Sequence, residues 1–395
     1  MTHETALHQL ERRDDGPGAA LPTVLFVSSP VGVGGSTRSM ANVLTYMGEH
    51  VHRVLAGPPD GRFHDLVGTL GAAEVYLPII NSERPRPPRR AWSALQLAVF
   101  TVRNRKVLRA MHANGLKEMS LSLVAATLGR VPLVVWIHEF NLPPSVLRFG
   151  WLWRILLRRI DVQFAAVSPL ARDLVVKAGL ATADRVHVVP NPIDPADVLA
   201  TPRAADAPDP DPDAGDDRVR VAFLGTPLEY KGFQYLPDMI RLTTGAAPVK
   251  WLIFSRQTED SLHEVWEDLR AMTATHPVTI EGKFTDVGVA YARCDIVVVP
   301  SQLESFGRVA AEAMLNGIPV VASDLEPIRA LLGDEEAGIL YPVGDVEAAA
   351  KAIVRLATDP GLRSELGAEG RRRAQEAFSP AVVGARFREL YRVES

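Results

Sequence analysis

The stretch Pro300–Ser323 constrains this chain more than any other. It reads Pro-Ser-Gln-Leu-Glu304-Ser305-Phe306-Gly307, runs on through Glu312, and closes on Gly317-Ile-Pro319-Val-Val-Ala-Ser323. The apolar run Asp295 to Val299 predicts a buried strand leading in, and Pro319 to Ala322 predicts a second leading out. Gly307 opens a helix between them. The loop carrying Glu304 therefore leaves the carboxyl end of a buried strand, where open α/β sheets bind ligands. Free N–H groups at the helix start favour an anion there. Glu304 and Glu312 lie about two helical turns apart and can line one wall. A phosphate on the N–H groups and sugar hydroxyls on the carboxylates suit that wall. Taken alone, two glutamates at this spacing equally describe a solvated face of a surface helix.

With 395 residues the chain exceeds one ordinary core, so two domains are expected. A net charge of -4 gives no general case for nucleic acid. The single cysteine, Cys294, sits in an apolar run and fits a reducing cytoplasm. No apolar run reaches the roughly 18 residues needed to span a bilayer. Residues 1–20 are polar, lack the apolar segment of a secretory signal, and read as a disordered leader.

Thr23 to Ser29 is a short apolar strand, followed by Pro30-Val-Gly32-Val-Gly34-Gly35-Ser-Thr37-Arg38 and a helix to about Gly48. Strand, glycine loop and helix can build a backbone nest for phosphate. The loop is not a Walker A sequence, since Thr37 and Arg38 stand where that pattern needs Gly and Lys, and it lacks the last glycine of the dinucleotide fingerprint. A tight turn needing glycine only for its backbone angles is the other explanation. Strand and helix patterns then alternate, which predicts a parallel sheet with crossover helices. Residues 84–109 are rich in arginine, with Pro85, Pro87 and Pro88 expected to break regular structure. Val131 to Ile137 is a buried strand ending at His138, where an imidazole can bond a sugar hydroxyl or serve as a structural donor. The helical pattern of Pro143 to Ile160 carries Trp151 and Trp153, with Arg148, Arg154, Arg158 and Arg159 to one side. It fits a helix packed on the sheet with a basic edge, or one lying on an anionic membrane.

Ala200 to Asp217 holds six Asp and four Pro and reads as a solvated linker. A new strand, Val219 to Leu224, leads into Gly225-Thr226-Pro-Leu-Glu229-Tyr230-Lys231-Gly232. A cation beside that first loop can neutralise a diphosphate leaving group.

The string Glu-Ser-Phe-Gly, seven residues from Glu304 to Glu312, then Ala-Met and Gly-Ile-Pro-Val-Val-Ala-Ser, resembles the E-x7-E element of retaining GT-B glycosyltransferases of the group 1, family-4-like class. The resemblance implies an α/β fold: two Rossmann-like domains with a cleft between them and a C-terminal helix crossing back. Residues 21–199 would form the acceptor domain, with 379–395 packing on it, 200–217 the linker, and 218–378 the nucleotide-sugar domain. Lys231 matches the family's phosphate lysine. The arginine that the family commonly carries five residues earlier is Thr226 here, so Arg256 or Lys283 would have to stand in. Gly34 and Gly35 would face the donor diphosphate and the acceptor, and His138 occupies the family's polar position at that strand end. Ser305, Phe306 and Gly307 would hold the donor, Glu304 its sugar hydroxyls, and Glu312 its ribose. Val278 to Lys283 resembles the base-cradling strand and loop.

The implied reaction is a hexosyltransferase-type transfer from a nucleoside-diphosphate sugar to a small-molecule, glycan or lipid-linked acceptor, with retention. No cofactor is implied. Asp209-Pro-Asp211, the Asp-x-Asp of the linker, is no cleft element, and no His/Cys cluster has metal spacing, so metal-independent transfer is expected. The setting would be cytoplasmic, with peripheral contact at the inner face of the membrane. A sugar-nucleotide epimerase, a phosphorylase, or a non-catalytic nucleotide-sugar binder would use similar clefts.

Overall fold

A computed structural model describes residues 21–29, 34–58, 61–69, 71, 75–78, 87–142, 150–199, 215–255, 262–282, 287–334 and 336–393. The chain divides into two compact units. The first takes in the residues up to Pro192 and the C-terminal stretch from Pro380, and the second is Ile193–Ser379.

In the first unit the elements are β1 (Thr23–Val27), α1 (Gly35–Met47), β2 (His52–Gly57), α2 (Arg62–Thr69), β3 (Val75–Pro78), α3 (Pro87–Arg103), β4 (Leu108–Ala113), α4 (Leu116–Gly129), β5 (Leu133–Ile137), α5 (Gly150–Leu157), β6 (Val162–Ala166), α6 (Pro169–Lys177) and β7 (Val186–Val188). Among the described residues they form one parallel sheet in the order β3-β2-β1-β4-β5-β6-β7. Within residues 84–109, the described part from Pro87 departs from the irregular course expected of it. Pro87 and Pro88 open α3 instead of interrupting it. A proline in the first turn gives up only an N–H that has no intrahelical partner, and its φ is already helical. Pro85 lies outside the described residues.

The second unit contains α7 (Pro195–Val198), β8 (Val219–Leu224), α8 (Leu236–Thr243), β9 (Val249–Phe254), α9 (His263–Met272), β10 (Val278–Ile280), α10 (Val287–Ala292), β11 (Ile296–Val299), α11 (Arg308–Leu315), β12 (Val320–Ser323), α12 (Glu326–Leu332), β13 (Gly338–Tyr341), α13 (Val346–Thr358) and α14 (Pro360–Phe378). Its parallel sheet runs β10-β9-β8-β11-β12-β13 among the described residues. Trp251, Phe223, Phe233 and Trp266 are buried at the centre of its core, where Trp251 Nε1 donates to Thr243 Oγ1 at 3.0 Å. Cys294, just before β11, is buried with its Sγ 3.0 Å from Ala290 O, and burial pushes its thiol up to about 12.

The division between the units falls at Pro192/Ile193, ahead of the acidic 200–217 stretch. The reason is local packing: α7 lies against α10 and α11, Asn316 Nδ2 donates to Val198 O at 3.2 Å, and Ile193 N donates to Phe378 O at 2.8 Å. The last helix, α15 (Pro380–Tyr391), belongs to the first unit. It packs on α1, places the Tyr391 hydroxyl 2.6 Å from His112 Nδ1, and closes an aromatic cluster of Phe26, His112, Trp136 and Phe387.

Both sheets reverse their strand order once, between β1 and β4 and between β8 and β11. That reversal opens a crevice at the carboxyl ends of those strands.

Candidate active site

In the second unit, β8 and β11 are neighbours, so the loops leaving their carboxyl ends lie side by side. Lys231 ends a short 3-10 turn, Glu229–Lys231, after β8, and Glu304 sits in the loop after β11. Lys231 Nζ donates to Glu304 Oε1 at 2.7 Å, and Ser301 Oγ donates to the same oxygen at 3.0 Å. The carboxylate is 10 % exposed and the ammonium 28 %, so the pair faces solvent from one side only. The loops are also tied through backbone, with Gln302 N and Leu303 N both donating to Tyr230 O. Gly232 makes this approach feasible. Its φ is +73°, and a Cβ there would lie 1.8 Å from Pro300 O.

Gly307 caps α11 at φ +96°, where a Cβ would lie 2.3 Å from Ile328 Cδ1. Ser305 is half-buried on the loop. The Phe306 ring turns inward, edge-on to Phe378 at 5.7 Å, so only its backbone lines the loop. Glu312 is buried within α11, and both its oxygens are engaged: Arg308 Nε donates to Oε1 at 2.7 Å and the Tyr291 hydroxyl to Oε2 at 2.9 Å. Burial raises the Tyr291 hydroxyl well above its ordinary value, which keeps it a donor. Thr226 is exposed directly after Gly225. Arg256 and Lys283, the residues named as substitutes for the missing arginine, lie outside the described residues.

In the first unit, Gly34 caps α1, with Thr37 Oγ1 2.6 Å from its N–H, and the space beside its Cα is open. The Gly35 carbonyl accepts from Ser39 Oγ at 2.9 Å. Beyond β5, His138 Nε2 lies 2.9 Å from Asn114 Oδ1, and burial lowers its pKa to about 3, so the ring is neutral.

Beside His138 stand two carboxylates that sequence reasoning did not single out. Glu118, in the first turn of α4, is buried and accepts from Ser29 Oγ. Glu139 accepts from Leu116 N at 2.8 Å and His138 N at 3.0 Å. Gly115, at φ +127°, lets both approach: a Cβ there would lie 2.9 Å from an oxygen of each. Burial raises both groups, and repulsion from Glu118 adds to the rise that brings Glu139 to about 7. The signal available in the sequence was the scarcity of acids between residues 87 and 160, where these two stand alone.

A helix-flanked pair of parallel sheets, each with one order reversal and polar loops at its carboxyl edge, is the two-domain α/β scaffold of GT-B enzymes. HepE of Anabaena, solved in complex with UDP and glucose, superposes with a TM-score of 0.74 at 19% identity, covering 93% of this chain and 98% of that one. A glycosyltransferase from Rickettsia africae superposes at 0.77 with 17% identity, covering 94% and 98%. The family model "Glycosyl transferases group 1" matches residues 218–359, and "Glycosyltransferase Family 4" matches 32–197. A phosphatidyl-myo-inositol mannosyltransferase of Mycolicibacterium smegmatis is 30% identical over 378 residues, covering 93% of this chain and 91% of that protein. A D-inositol 3-phosphate glycosyltransferase of Xylanimonas cellulosilytica is 30% identical over 253 residues, covering 58% and 56%. The chain belongs to the group 1, family-4 glycosyltransferases, and is a glycosyltransferase.

Proposed function

We propose that this enzyme moves a sugar from a nucleoside-diphosphate sugar to an acceptor hydroxyl, with retention and without a metal ion. The observation that carries this reading is the Lys231–Glu304 pair, held by two neighbouring βα loops at the carboxyl edge of the second sheet.

Lys231 lies against the donor diphosphate, where its ammonium and the first N–H groups of α11 offset the charge that grows on the departing phosphate. The fixed cation takes the place a divalent metal has in other transferases. Glu304 accepts from hydroxyls of the donor sugar. Glu312 takes the ribose hydroxyls once Arg308 yields an oxygen, and the strand end after β10 holds the base. As the bond from the anomeric carbon to phosphate oxygen breaks, the acceptor oxygen bonds that carbon on the same face. Its proton passes to the leaving phosphate. In the first unit, Gly35 at the start of α1 offers its N–H to an anion, Gly34 joins it once its N–H leaves Thr37 Oγ1, and neutral His138 bonds a sugar hydroxyl.

UDP and glucose in HepE, and the phosphatidylinositol named for the mycobacterial relative, support a nucleotide sugar as donor and a glycan or lipid-linked acceptor. Nucleic acid has no part in this reading. The setting is cytoplasmic, at the membrane's inner face. Among the described residues no helix is long and apolar enough to cross a membrane.

The test is a thermal-shift series with UDP, GDP and ADP, followed by turnover of the matching nucleotide sugars. One diphosphate should raise the melting temperature of the parent and not of Lys231→Met. Turnover in excess EDTA should match that without it, and the product should keep the donor's anomeric configuration by NMR. Loss of turnover in EDTA, or an inverted product, overturns the corresponding part.

A further inference from the structure

We propose that the outer face of the helix layer α3–α4–α5 in the first unit is a docking surface for an anionic lipid bilayer. This deepens the reading above, on which it rests only for the lipid-linked acceptor.

The helix α3 is apolar on two opposite sides. Leu97, Phe100 and Thr101 are buried against the unit, while Trp92, Leu95, Val99 and Val102 recur at three- and four-residue spacing on the open side. A second apolar stripe on a helix already buried along the first is ordinarily covered as well. Trp92 is nevertheless 60 % exposed. The open stripe continues on the neighbours, with Val124 and Leu128 on α4 and Trp151 and Ile155 on α5; Trp151 is 66 % exposed. The three helices share one side of the sheet. The crossovers β3 to β4, β4 to β5 and β5 to β6 all progress in one direction, and right-handed connections then place their helices on one face. α4 packs against both α3 and α5. Large exposed apolar patches of this kind mark interaction surfaces.

Charge selects the occupant. Residues 87–160 hold twelve Arg or Lys against two acids, in a chain whose totals are 43 and 47. Both acids, Glu118 and Glu139, turn into the carboxyl edge of the sheet and leave the outer face none from these helices. At the far ends of α4 and α5, a cavity of about 610 Å³ is lined by Leu128, Arg130 and Arg159. Its one acid, Asp161, is already paired with Arg392 at 2.6 Å. Open aliphatic and indole groups with exposed Arg130, Arg158 and Arg159 at the ends of α4 and α5 match an anionic bilayer: apolar side chains enter the acyl boundary and guanidinium groups meet phosphates. Trp92 and Trp151 stand near the starts of α3 and α5, at the sheet edge that also carries His138, and indole rings favour the headgroup level.

The experiment is co-sedimentation of the full chain with vesicles of phosphatidylcholine alone, or mixed with phosphatidylglycerol at about three to one. Binding to the mixed vesicles should be at least about tenfold stronger and should weaken as salt rises. The triple variant Trp92→Ser, Leu95→Ser, Trp151→Ser should lose about tenfold, as should Arg130→Gln, Arg158→Gln, Arg159→Gln. All six side chains are open, so both variants should melt with the parent. Parent protein that ignores both vesicle types, or variants that pellet like the parent, overturns the proposal. So does a dimer by light scattering that the Ser variant dissolves, which would assign the face to a second copy. Diphosphate thermal shifts on the same proteins keep the two readings apart. Donor binding that persists when vesicle binding fails sinks the docking surface alone, and the reverse sinks the donor reading alone.

Discussion

Gly232 holds the β8 loop against Pro300 with no room for a methyl group, and at a backbone angle that L residues rarely adopt. Gly232→Ala must therefore move Lys231 away from Glu304. We expect the second unit's melting temperature to drop by about 5 °C, and turnover to drop with it, read by calorimetry and a diphosphate-release assay. Lys231→Met removes the cation alone and should cut kcat by about 10²- to 10³-fold. A second effect at this scale concerns His112, buried and held near a pKa of about 3 by burial, against 6.5 when exposed. Its folded form favours the neutral ring, so its stabilising contribution is complete above pH 6.5 and is lost as pH falls from 6.5 toward 3. Glu139, raised from 4.5 to about 7, has the opposite sign: its contribution is present below pH 4.5 and is lost as pH rises through about 7. Comparing His112→Phe with the parent isolates the histidine part. The variant's stability should change with pH less steeply below pH 6.5, by up to about 1.4 kcal/mol per pH unit. Residue types at the donor edge were legible because glycine, glutamate and lysine stand at turns between apolar runs. The contact itself was not, since Lys231 and Glu304 are 73 positions apart and only the β8–β11 pairing joins them. The Glu118–Glu139 pair escaped for the same reason.

Among the elements, the E-x7-E segment folds nearly as its pattern dictates, with β11 and β12 each within a residue of the expected strands at their inner ends. The stretch from Pro87 to Arg103 does not, because proline acts by its position in a helix and a pattern of prolines alone leaves that position unspecified. α15 closes the first unit's aromatic cluster through Tyr391 and Phe387. It lies so near α1 that a Cβ on Gly384 would sit 2.0 Å from the Tyr46 ring. Removing the chain from Pro380 onward should uncover Phe26, His112 and Trp136, and make the first unit the earlier site of chymotrypsin cleavage. Gly384→Leu should reproduce part of that sensitivity, with diphosphate binding by the second unit kept.

Two sheets with separate cores predict two calorimetric transitions for the whole molecule. A bound nucleoside diphosphate should raise the second unit's transition and leave the other where it is, if the donor occupies the Lys231–Glu304 edge. The division into two α/β units and the parallel character of both sheets followed from alternating strand and helix patterns. The position of the division did not, because α7 is fixed by contacts with α10 and α11 that its four residues do not announce.

The chain's single thiol, buried just ahead of the strand that delivers Glu304, makes it its own reporter. Alkylation of buried Cys294 requires the packing at the foot of the β11 platform to loosen, so the labelling rate in native buffer measures that loosening with no engineered probe and no competing sulfhydryl. A diphosphate that seats on the platform should slow that rate in proportion to its occupancy.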